Sequence, residues 1–338
     1  MLQSYHPQKG PFVRDLRPSD RVTGFYLCRH KRLEPFRDRS RGQFLTLVLG
    51  DRTGQILARV WEGAEELVDS FEESDVLKVA GDLEEYLGRA QIIVHKLRRA
   101  EEGEYDLRDF LPASEKDPEA MLAALRETVD RIVEPHLSAL VRSFYDDPNF
   151  LRQLAQAPAA RRVHHAYLGG LMDYLVEVAT LCESALALYA EIDADLLRAG
   201  ALLHGVGKLR EFVWEKDILY SDEGRLIGHV VVGEELVTQA IQQLPDFPEE
   251  LSLRVRHMML SQRGRYEYGS PRRPMTLEAI ALHKIVDLSV QINRFQRLLT
   301  QRRDPESAWT DYDRLLGHSL YLGKGDDDLS IEEQSLED

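Results

Sequence analysis

Six histidines in the later part of this 338-residue chain could bind a metal ion together. One of them closes the apolar stretch ALLHGVGK, residues 201–208, where glycine rather than an acidic residue follows the histidine. Imidazoles from several helices can converge on a divalent cation, with carboxylates completing the ligand set. A single helix histidine is more often an ordinary hydrogen-bonded residue, so convergence is a hypothesis. The six are His164, His165, His204, His229, His257 and His283.

A second group combines aromatic and basic side chains nearer the amino terminus. Period-two alternation places Arg59 and Trp61 on one face of a strand, and Phe44 opposite the leucines of its own strand. An exposed ring can stack on a base while a guanidinium meets phosphate. The alternative is that Trp61 only covers the end of a barrel or packs on a second domain. The predicted nucleic-acid-binding residues are Lys31, Arg32, Arg37, Phe44, Arg59 and Trp61.

Charge is distributed unevenly along the chain. The net charge is −15, but residues 1–100 carry 17 basic and 15 acidic side chains. The stretch RHKRLEPFRDRSR, residues 29–41, reads as a loop and holds six basic residues against two acidic ones. A polyanion would therefore bind to the first domain. The stretch 326–338 has seven acids and no base, which predicts a disordered, solvating tail.

Cysteine usage and hydropathy indicate the compartment. Cys28 and Cys182 lie far apart, and the chain has no apolar amino-terminal segment and no apolar run approaching the length of a membrane span. The sequence therefore predicts a cytoplasmic protein without disulfides and without a membrane partner.

The elements that would position these residues fall into two classes. QFLTLVLGD and GQILARVWEG alternate around the turn residues DRTG, which predicts a hairpin, and residues 75–100 predict two or three more short strands broken at Gly81 and Gly88. About five short strands fit a small barrel over residues 1–100. From residue 119 the apolar residues recur at helical spacing, which predicts an all-helical second domain. The predicted boundaries are a linker at 101–118, the helical domain at 119–322 and the acidic tail at 323–338.

Several long motifs that follow the predicted barrel resemble those of one enzyme family, the YhaM-type 3'-to-5' exoribonucleases. The resemblance runs from about residue 12 to about residue 300. It implies an OB-fold barrel joined to a helical HD domain, a single-stranded RNA or DNA substrate and a divalent metal such as Mn or Mg; family members often form homo-oligomers. The motifs are HHAYLGGLMDYLVEVATL, AGALLHGVGKLREF, SDEGRLIGHVVVGEELV and HMMLSQRGRYEYGSPRRPMTLEAIALH.

When the family's site residues are carried over one at a time, the resemblance implies that most of the expected metal ligands are replaced in this chain. The family's His-Asp pair falls on His204 and Gly205, and a further family aspartate falls on Val286. Three family histidines fall on Tyr174, Gln262 and Arg263. His204 and His229 remain as weak or vestigial metal ligands, and Lys208 remains as a phosphate contact. Also retained are His257, His283, Gly169, Gly170, Gly224, Gly228 and Gly264.

Three hypotheses about function stay open on the sequence alone. The first is a nucleic-acid-binding protein whose HD domain is catalytically impaired. The second is an active exonuclease with an altered metal shell, in which His164, His165 or Asp287 enters the site in a shifted register. The third is a protein-interaction scaffold that does not bind nucleic acid.

Overall fold

The computed structural model describes residues 9–36, 38–86, 89–214, 217–300, 307–313 and 316–323. Arg37 and the predicted acidic tail beyond Gly323 lie outside the described residues.

The first domain is a closed five-stranded barrel with the strand order β1-β2-β3-β5-β4. Neighbouring strands pair antiparallel except β3 and β5, which are parallel. A short helix, α1 (Ala64–Leu67), joins β3 to β4. The strands are β1 (Arg21–Pro35), β2 (Gln43–Asp51), β3 (Gly54–Val60), β4 (Val76–Tyr86) and β5 (Arg89–Arg99).

Period-two alternation determines which side chains fill the barrel. Leu45, Leu47 and Leu49 of β2 are fully buried, and the inward side chains of β3 around Ala58 are buried as well. The intervening residues, including Arg59, face outward. The predicted hairpin and small barrel are therefore confirmed, because one apolar face per strand is what a closed barrel must bury.

Two details of the barrel differ from the prediction. The first half of the charged stretch 29–41 is not a loop but the second half of β1, where residues 30–35 pair with β2. β4 is not broken at Gly81, because the strand continues past that residue through a bulge. A Cβ at Gly81 would lie 2.2 Å from the carbonyl oxygen of Ile93, so the glycine allows close strand approach rather than a break. Gly88 lies outside the described residues.

The polar segment between the domains packs against both of them. Phe110 is fully buried against apolar residues of β1 and β4, and its carbonyl oxygen accepts a hydrogen bond from Arg29 at 3.0 Å. Four residues further on, the amide of Ser114 donates to the carbonyl oxygen of Leu168 at 2.9 Å. The ammonium group of Lys116 then meets the carboxylate of Asp173 at 2.5 Å. The segment predicted as a linker therefore contacts the barrel and the helical domain.

The second domain is built from ten helices among the described residues. Three of the first four begin at a proline that follows an acidic N-cap, Asp117, Glu134 or Asp147, whose carboxylate accepts a backbone N–H. The helices are α2 (Pro118–Asp130), α3 (Pro135–Tyr145), α4 (Pro148–Gln156), α5 (Gly170–Leu186), α6 (Ala194–Leu203), α7 (Lys208–Glu211), α8 (Asp222–Leu226), α9 (His229–Gln242), α10 (Glu249–Ser261) and α11 (Leu277–Thr300).

The domain is helical as predicted, with one small addition. β6 (Phe212–Val213) and β7 (Leu219–Tyr220) form a two-stranded hairpin between α7 and α8. The core lies around α5 and α6, which contribute many of its fully buried leucines. No helix in the described part of the chain is both long and apolar enough to cross a membrane.

Candidate functional site

Three aromatic rings cluster on the outer surface of the barrel. The centroids of Phe44 and Trp61 lie 5.0 Å apart, and Phe36 lies 5.1 Å from Phe44 and 5.8 Å from Trp61. Trp61 keeps 37% of its surface exposed. We call these three rings, together with Arg41 and Arg59, the aromatic face.

The two arginines of the aromatic face lie over its rings. The guanidinium of Arg59 is 5.2 Å from the centroid of Phe44 and 5.6 Å from that of Trp61, and Arg41 is 4.6 Å from that of Phe36. Arg59 also donates to the amide oxygen of Gln91 at 3.2 Å, which fixes its orientation. None of the hydrogen-bond partners of Arg59 in the described residues is a carboxylate. Its positive charge is therefore held at the surface and remains available to an anion.

The other predicted basic residues lie in different surroundings. The ammonium group of Lys31 donates to the carbonyl oxygens of Val68 and Phe71 at 2.7 and 2.5 Å, so it is engaged in hydrogen bonds within the protein. Arg32 is paired with Thr46 of β2, which places it on the same face as Arg59; its side chain is 71% exposed and forms an ion pair with Glu34 at 3.8 Å. Phe36 was missed by the prediction, although it stands within the charged stretch 29–41, where an aromatic among basic residues was the available signal.

The second site surrounds Tyr174 in the helical domain. The ring of this fully buried tyrosine lies 5.0 Å from that of His204, 5.1 Å from that of His164 and 5.5 Å from that of His165. The ammonium group of Lys208 lies 6.0 Å from the centroid of the same ring. These five residues, with His229 and Arg263, form what we call the histidine cluster.

His204 is completely buried at the end of α6. Its Nδ1 donates to the carbonyl oxygen of Ala201 at 2.8 Å, whereas its Nε2 has no hydrogen-bond partner among the described residues. Burial lowers the pKa of His204 to about 3, and the positive charge of Lys208 acts in the same direction. The imidazole is therefore neutral at pH 7, with an unsatisfied lone pair on Nε2.

His229 and Lys208 are the other buried polar groups retained from the resemblance. Nδ1 of His229 donates to Oε1 of Glu211 at 2.8 Å, and burial lowers the pKa of His229 to about 4. Burial alone would raise the pKa of Glu211, but the hydrogen bond and charge of His229 lower it to about 2. Lys208 donates to the carbonyl oxygen of Ala159 at 2.7 Å, and burial lowers its pKa to about 8.

The positions where the resemblance expects ligands carry side chains with other roles. The amide of Gln262 donates to the carbonyl oxygens of His204 and Met259 at 3.0 and 3.1 Å, and Val286 is buried in the apolar core. A Cβ at Gly205 would lie 3.0 Å from a methyl of Leu171 and 3.2 Å from one of Leu175. The direction in which an aspartate would extend from this backbone is therefore filled by leucine.

Arg263 brings a positive charge to the cluster. Its side chain is half-buried and has no hydrogen bond or ion pair with any residue that the structure describes. Its charge lowers the pKa values of His164, Lys208 and His229, for each of which burial is the larger cause. Arg263 therefore acts on the cluster electrostatically without being neutralised by a carboxylate.

The remaining histidines and Asp287 do not complete a metal site. His165 meets Glu177 at 3.1 Å, and His283 bonds the carbonyl oxygen of Gln262 at 3.1 Å. His257 accepts the amide N–H of Met275 at 2.9 Å. Asp287 accepts from Gln291 on its own helix at 2.7 Å.

These residues do not fit a divalent metal ion. Protein metal sites normally use three or four ligands, and no group of three or more His, Cys, Asp or Glu side chains within the described ranges is arranged to hold one. The free Nε2 of His204 is a suitable donor, but the positive charge of Lys208 acts on the same imidazole. Among the described residues, no donor set for a divalent metal is therefore assembled at this cluster.

Comparisons with known proteins agree with the two-domain architecture. Models of an OB-fold nucleic acid binding domain and of an HD domain match residues 27–100 and 175–286. The 3'-5' exoribonuclease YhaM of Shouchella clausii is 33% identical over 258 residues, which cover 76% of this chain and 80% of that protein. The chain belongs to the YhaM family. YhaM of Bacillus licheniformis is 32% identical over 264 residues, covering 78% of this chain and 83% of that protein.

A solved structure was also found for the barrel. The second OB-fold domain of replication protein A from Methanococcus maripaludis aligns with 28% of this chain and 96% of its own length, at 21% identity and a TM-score of 0.24. That score is too low to support a structural conclusion, so the assignment to the YhaM family rests on the longer matches.

Proposed function

We propose that this YhaM-family protein binds single-stranded RNA or DNA through the aromatic face and that its HD domain does not hydrolyse the bound strand. The observation that carries the binding proposal is the cluster of Phe36, Phe44 and Trp61 beneath Arg59 and Arg41. Stacked bases need exposed rings, and the phosphates between them need cations at the same surface. One patch of the barrel supplies both.

The proposal that hydrolysis is lost depends on the composition of the histidine cluster. In the family's chemistry a metal ion generates the nucleophile by lowering the pKa of a bound water. Here Tyr174, Gly205, Gln262 and Val286 offer no replacement ligand, since each is packed or hydrogen-bonded in the protein interior. The cluster retains a scaffold of buried polar groups without the donor set for a metal.

Fluorescence anisotropy of a labelled single strand tests the binding proposal. The variants Trp61→Ala and Arg59→Gln are compared with Tyr86→Ala, an exposed barrel aromatic outside the aromatic face, and with Arg14→Gln, an exposed arginine. We expect the first pair to weaken binding and the second pair to leave it unchanged. Arg59→Gln should also reduce the salt slope by about 0.7, the contribution of one single-strand phosphate.

Two results would refute this proposal. Equal affinity of all four variants would mean that the strand binds elsewhere, and no measurable binding by the wild type would favour the scaffold hypothesis.

The alternative of an active exonuclease is supported by the activity named for the relatives and by the unsatisfied Nε2 of His204. Metal-dependent shortening of the strand by the wild type would establish it.

A further inference from the structure

The segment that connects α10 to α11 exposes arginine and tyrosine side chains together. We call residues 265–273, RYEYGSPRR, the α10–α11 loop; it holds three arginines and one acid, Glu267. This composition is unusual for its part of the chain, because residues 101–338 carry 26 basic and 43 acidic side chains. Tyr266 and Tyr268 keep 53% and 60% of their surface exposed. The loop is therefore a local basic and aromatic patch on an acidic domain.

The arginines of the α10–α11 loop lie over its rings and are not neutralised. The guanidinium of Arg265 is 5.9 Å from the centroid of Tyr268, and that of Arg273 is 5.3 Å from the centroid of Tyr266. Within the part of the chain that the structure describes, neither these two arginines nor Arg272 forms a side-chain hydrogen bond or an ion pair. All three are exposed, so their positive charges remain available to an anion in solution.

The α10–α11 loop is fixed to the helices on either side of it. Ser270 is buried, and its hydroxyl donates to the carbonyl oxygen of Arg272 at 2.7 Å, while the amide of Arg272 donates to the carbonyl oxygen of Leu260 at 3.3 Å. The amide of Met275 donates to Nε2 of His257 at 2.9 Å. A loop held in this way loses little conformational freedom when a ligand binds to it.

We propose that the α10–α11 loop is a second binding surface for single-stranded nucleic acid, in which bases stack on Tyr266 and Tyr268. The phosphates of the strand contact the three arginines of the loop. Unpaired bases expose the flat faces that stack on aromatic side chains, and cations at the same surface track the backbone. A duplex keeps its bases stacked inside, so the exposed rings favour a single strand.

An acidic protein segment is the other partner that three arginines could bind, and the stretch 326–338 of this chain is one example. Such a segment would pair with the guanidinium groups but would offer no planar groups to the two tyrosines. A single strand uses both kinds of side chain. The inference goes beyond the proposed function, because the loop belongs to the helical domain and its binding requires neither the aromatic face nor the histidine cluster.

Fluorescence anisotropy of a labelled single strand with the full chain tests the loop. Tyr268→Ala should weaken binding about fivefold or more, as expected for the loss of one stacked base. The double variant Arg272→Gln with Arg273→Gln should reduce the salt slope by about 1.4, the contribution of two single-strand phosphates. Tyr189→Ala and Arg126→Gln are the matched controls, because both residues are exposed on the helical domain outside the loop, and they should bind like the wild type.

Two further measurements separate a binding role from a structural one. Tyr268→Trp keeps an aromatic surface and should bind like the wild type, and thermal unfolding of each variant shows whether it is folded. A strand that contains 4-thiouridine should crosslink under ultraviolet light to residues 265–273, in the wild type and in Trp61→Ala alike. The crosslink therefore reports the loop independently of the aromatic face.

Three outcomes would overturn the inference: unchanged affinity of Tyr268→Ala and the double arginine variant, equal weakening by Tyr268→Ala and Tyr268→Trp, or no crosslink to residues 265–273. A synthetic peptide of residues 326–338 provides the comparison with an acidic partner. If the double variant loses the peptide but keeps the strand, the loop is a protein contact and the inference is wrong.

Failure of this inference and failure of the proposed function give different results. Weakening by Tyr268→Ala with unchanged binding by Trp61→Ala would contradict only the aromatic face. The reverse pattern would contradict only the α10–α11 loop.

Discussion

In the proposed loss of metal binding, Gly205 is the residue that departs most clearly from the metal site that the family resemblance implies. The family's aspartate at this position would need space for a carboxylate, but the backbone directs a Cβ at the methyl groups of Leu171 and Leu175. The packing of α5 against the turn that follows α6 therefore fills the direction in which the carboxylate would extend. On this proposal, restoring the aspartate alone should not create a metal site, because Tyr174 and Val286 are buried at two further positions where the resemblance expects ligands.

We therefore predict that Gly205→Asp destabilises the protein without adding a metal ion. A carboxylate forced among leucines should lower the free energy of unfolding by about 2 kcal/mol or more, through overpacking and desolvation. Urea unfolding measures the loss, and Gly205→Ala is the control that adds only the Cβ and should cost less. Stoichiometric manganese in Gly205→Asp at unchanged stability would contradict this interpretation.

In the barrel, Phe44 is the residue whose substitution should affect single-strand binding. Its ring contacts both Phe36 and Trp61, at 5.1 and 5.0 Å between centroids, and lies beneath Arg59, so its loss should remove a stacking platform and loosen its neighbours. Phe44→Ala should weaken single-strand binding by about 5- to 150-fold, the equivalent of ~1–3 kcal/mol per stacked base. Phe44→Trp keeps an aromatic surface and should retain most of the affinity; equal weakening by both variants would argue against stacking.

At the scale of elements, the strands were predictable where hydrophobic and polar residues alternate. β2 and β3 alternate cleanly, and the sequence predicts both correctly. The second half of β1 is predicted as a loop because its residues are mostly charged. Only the hydrogen bonds from β2 identify that stretch as a strand.

The contacts within the histidine cluster could not be predicted from local sequence. Its members come from elements far apart in the chain, so the hydrogen bond from Gln262 to His204 joins residues separated by 58 positions. The resemblance identified the positions that matter, but not that Glu211 would bind His229 or that Arg263 would remain unpaired. Those features depend on how α6, α7, α9 and α10 pack together.

One element contact can be tested by a glycine substitution. Gly207, just before α7, is so close to α9 that a Cβ there would lie 2.1 Å from the carbonyl oxygen of His229 and 2.6 Å from the amide of Gly233. Gly207→Ala should push α9 outward and lower the free energy of unfolding by about 1–3 kcal/mol. Gly54→Ala is the control, because a Cβ there meets only ordinary contacts with Val13. Equal stability of the two variants would show that α7 and α9 separate without cost.

At the scale of the whole molecule, the buried histidines make stability depend on pH. His204 and His229 have pKa values of about 3 and 4 because of burial, against 6.5 as the ordinary value. Below pH 6.5 the unfolded chain therefore binds protons that the folded protein excludes, so stability falls as the pH is lowered from 6.5 towards 4. Each such histidine contributes a slope of up to about 1.4 kcal/mol per pH unit.

Urea unfolding between pH 4.5 and 7.5 measures this dependence. The variant His204→Gln lacks one of the buried imidazoles and should show a shallower loss of stability below pH 6.5 than the wild type. Parallel curves for the two proteins would mean that His204 is protonated in the folded state.

The protein as a whole combines a barrel that exposes aromatic rings and arginine side chains with a helical domain that has the HD fold. The two are held together by the segment around Phe110 and Lys116, which contacts each domain. Binding on the barrel without hydrolysis in the helical domain is the central claim, and it depends on the lack of metal ligands around Tyr174.

The most direct measurement is incubation of the purified protein with manganese or magnesium and a single-stranded RNA labelled at its 5' end. We predict that the RNA is bound but remains full length, for the wild type and for His204→Ala alike. Metal-dependent shortening from the 3' end by the wild type, abolished in His204→Ala, would contradict the account.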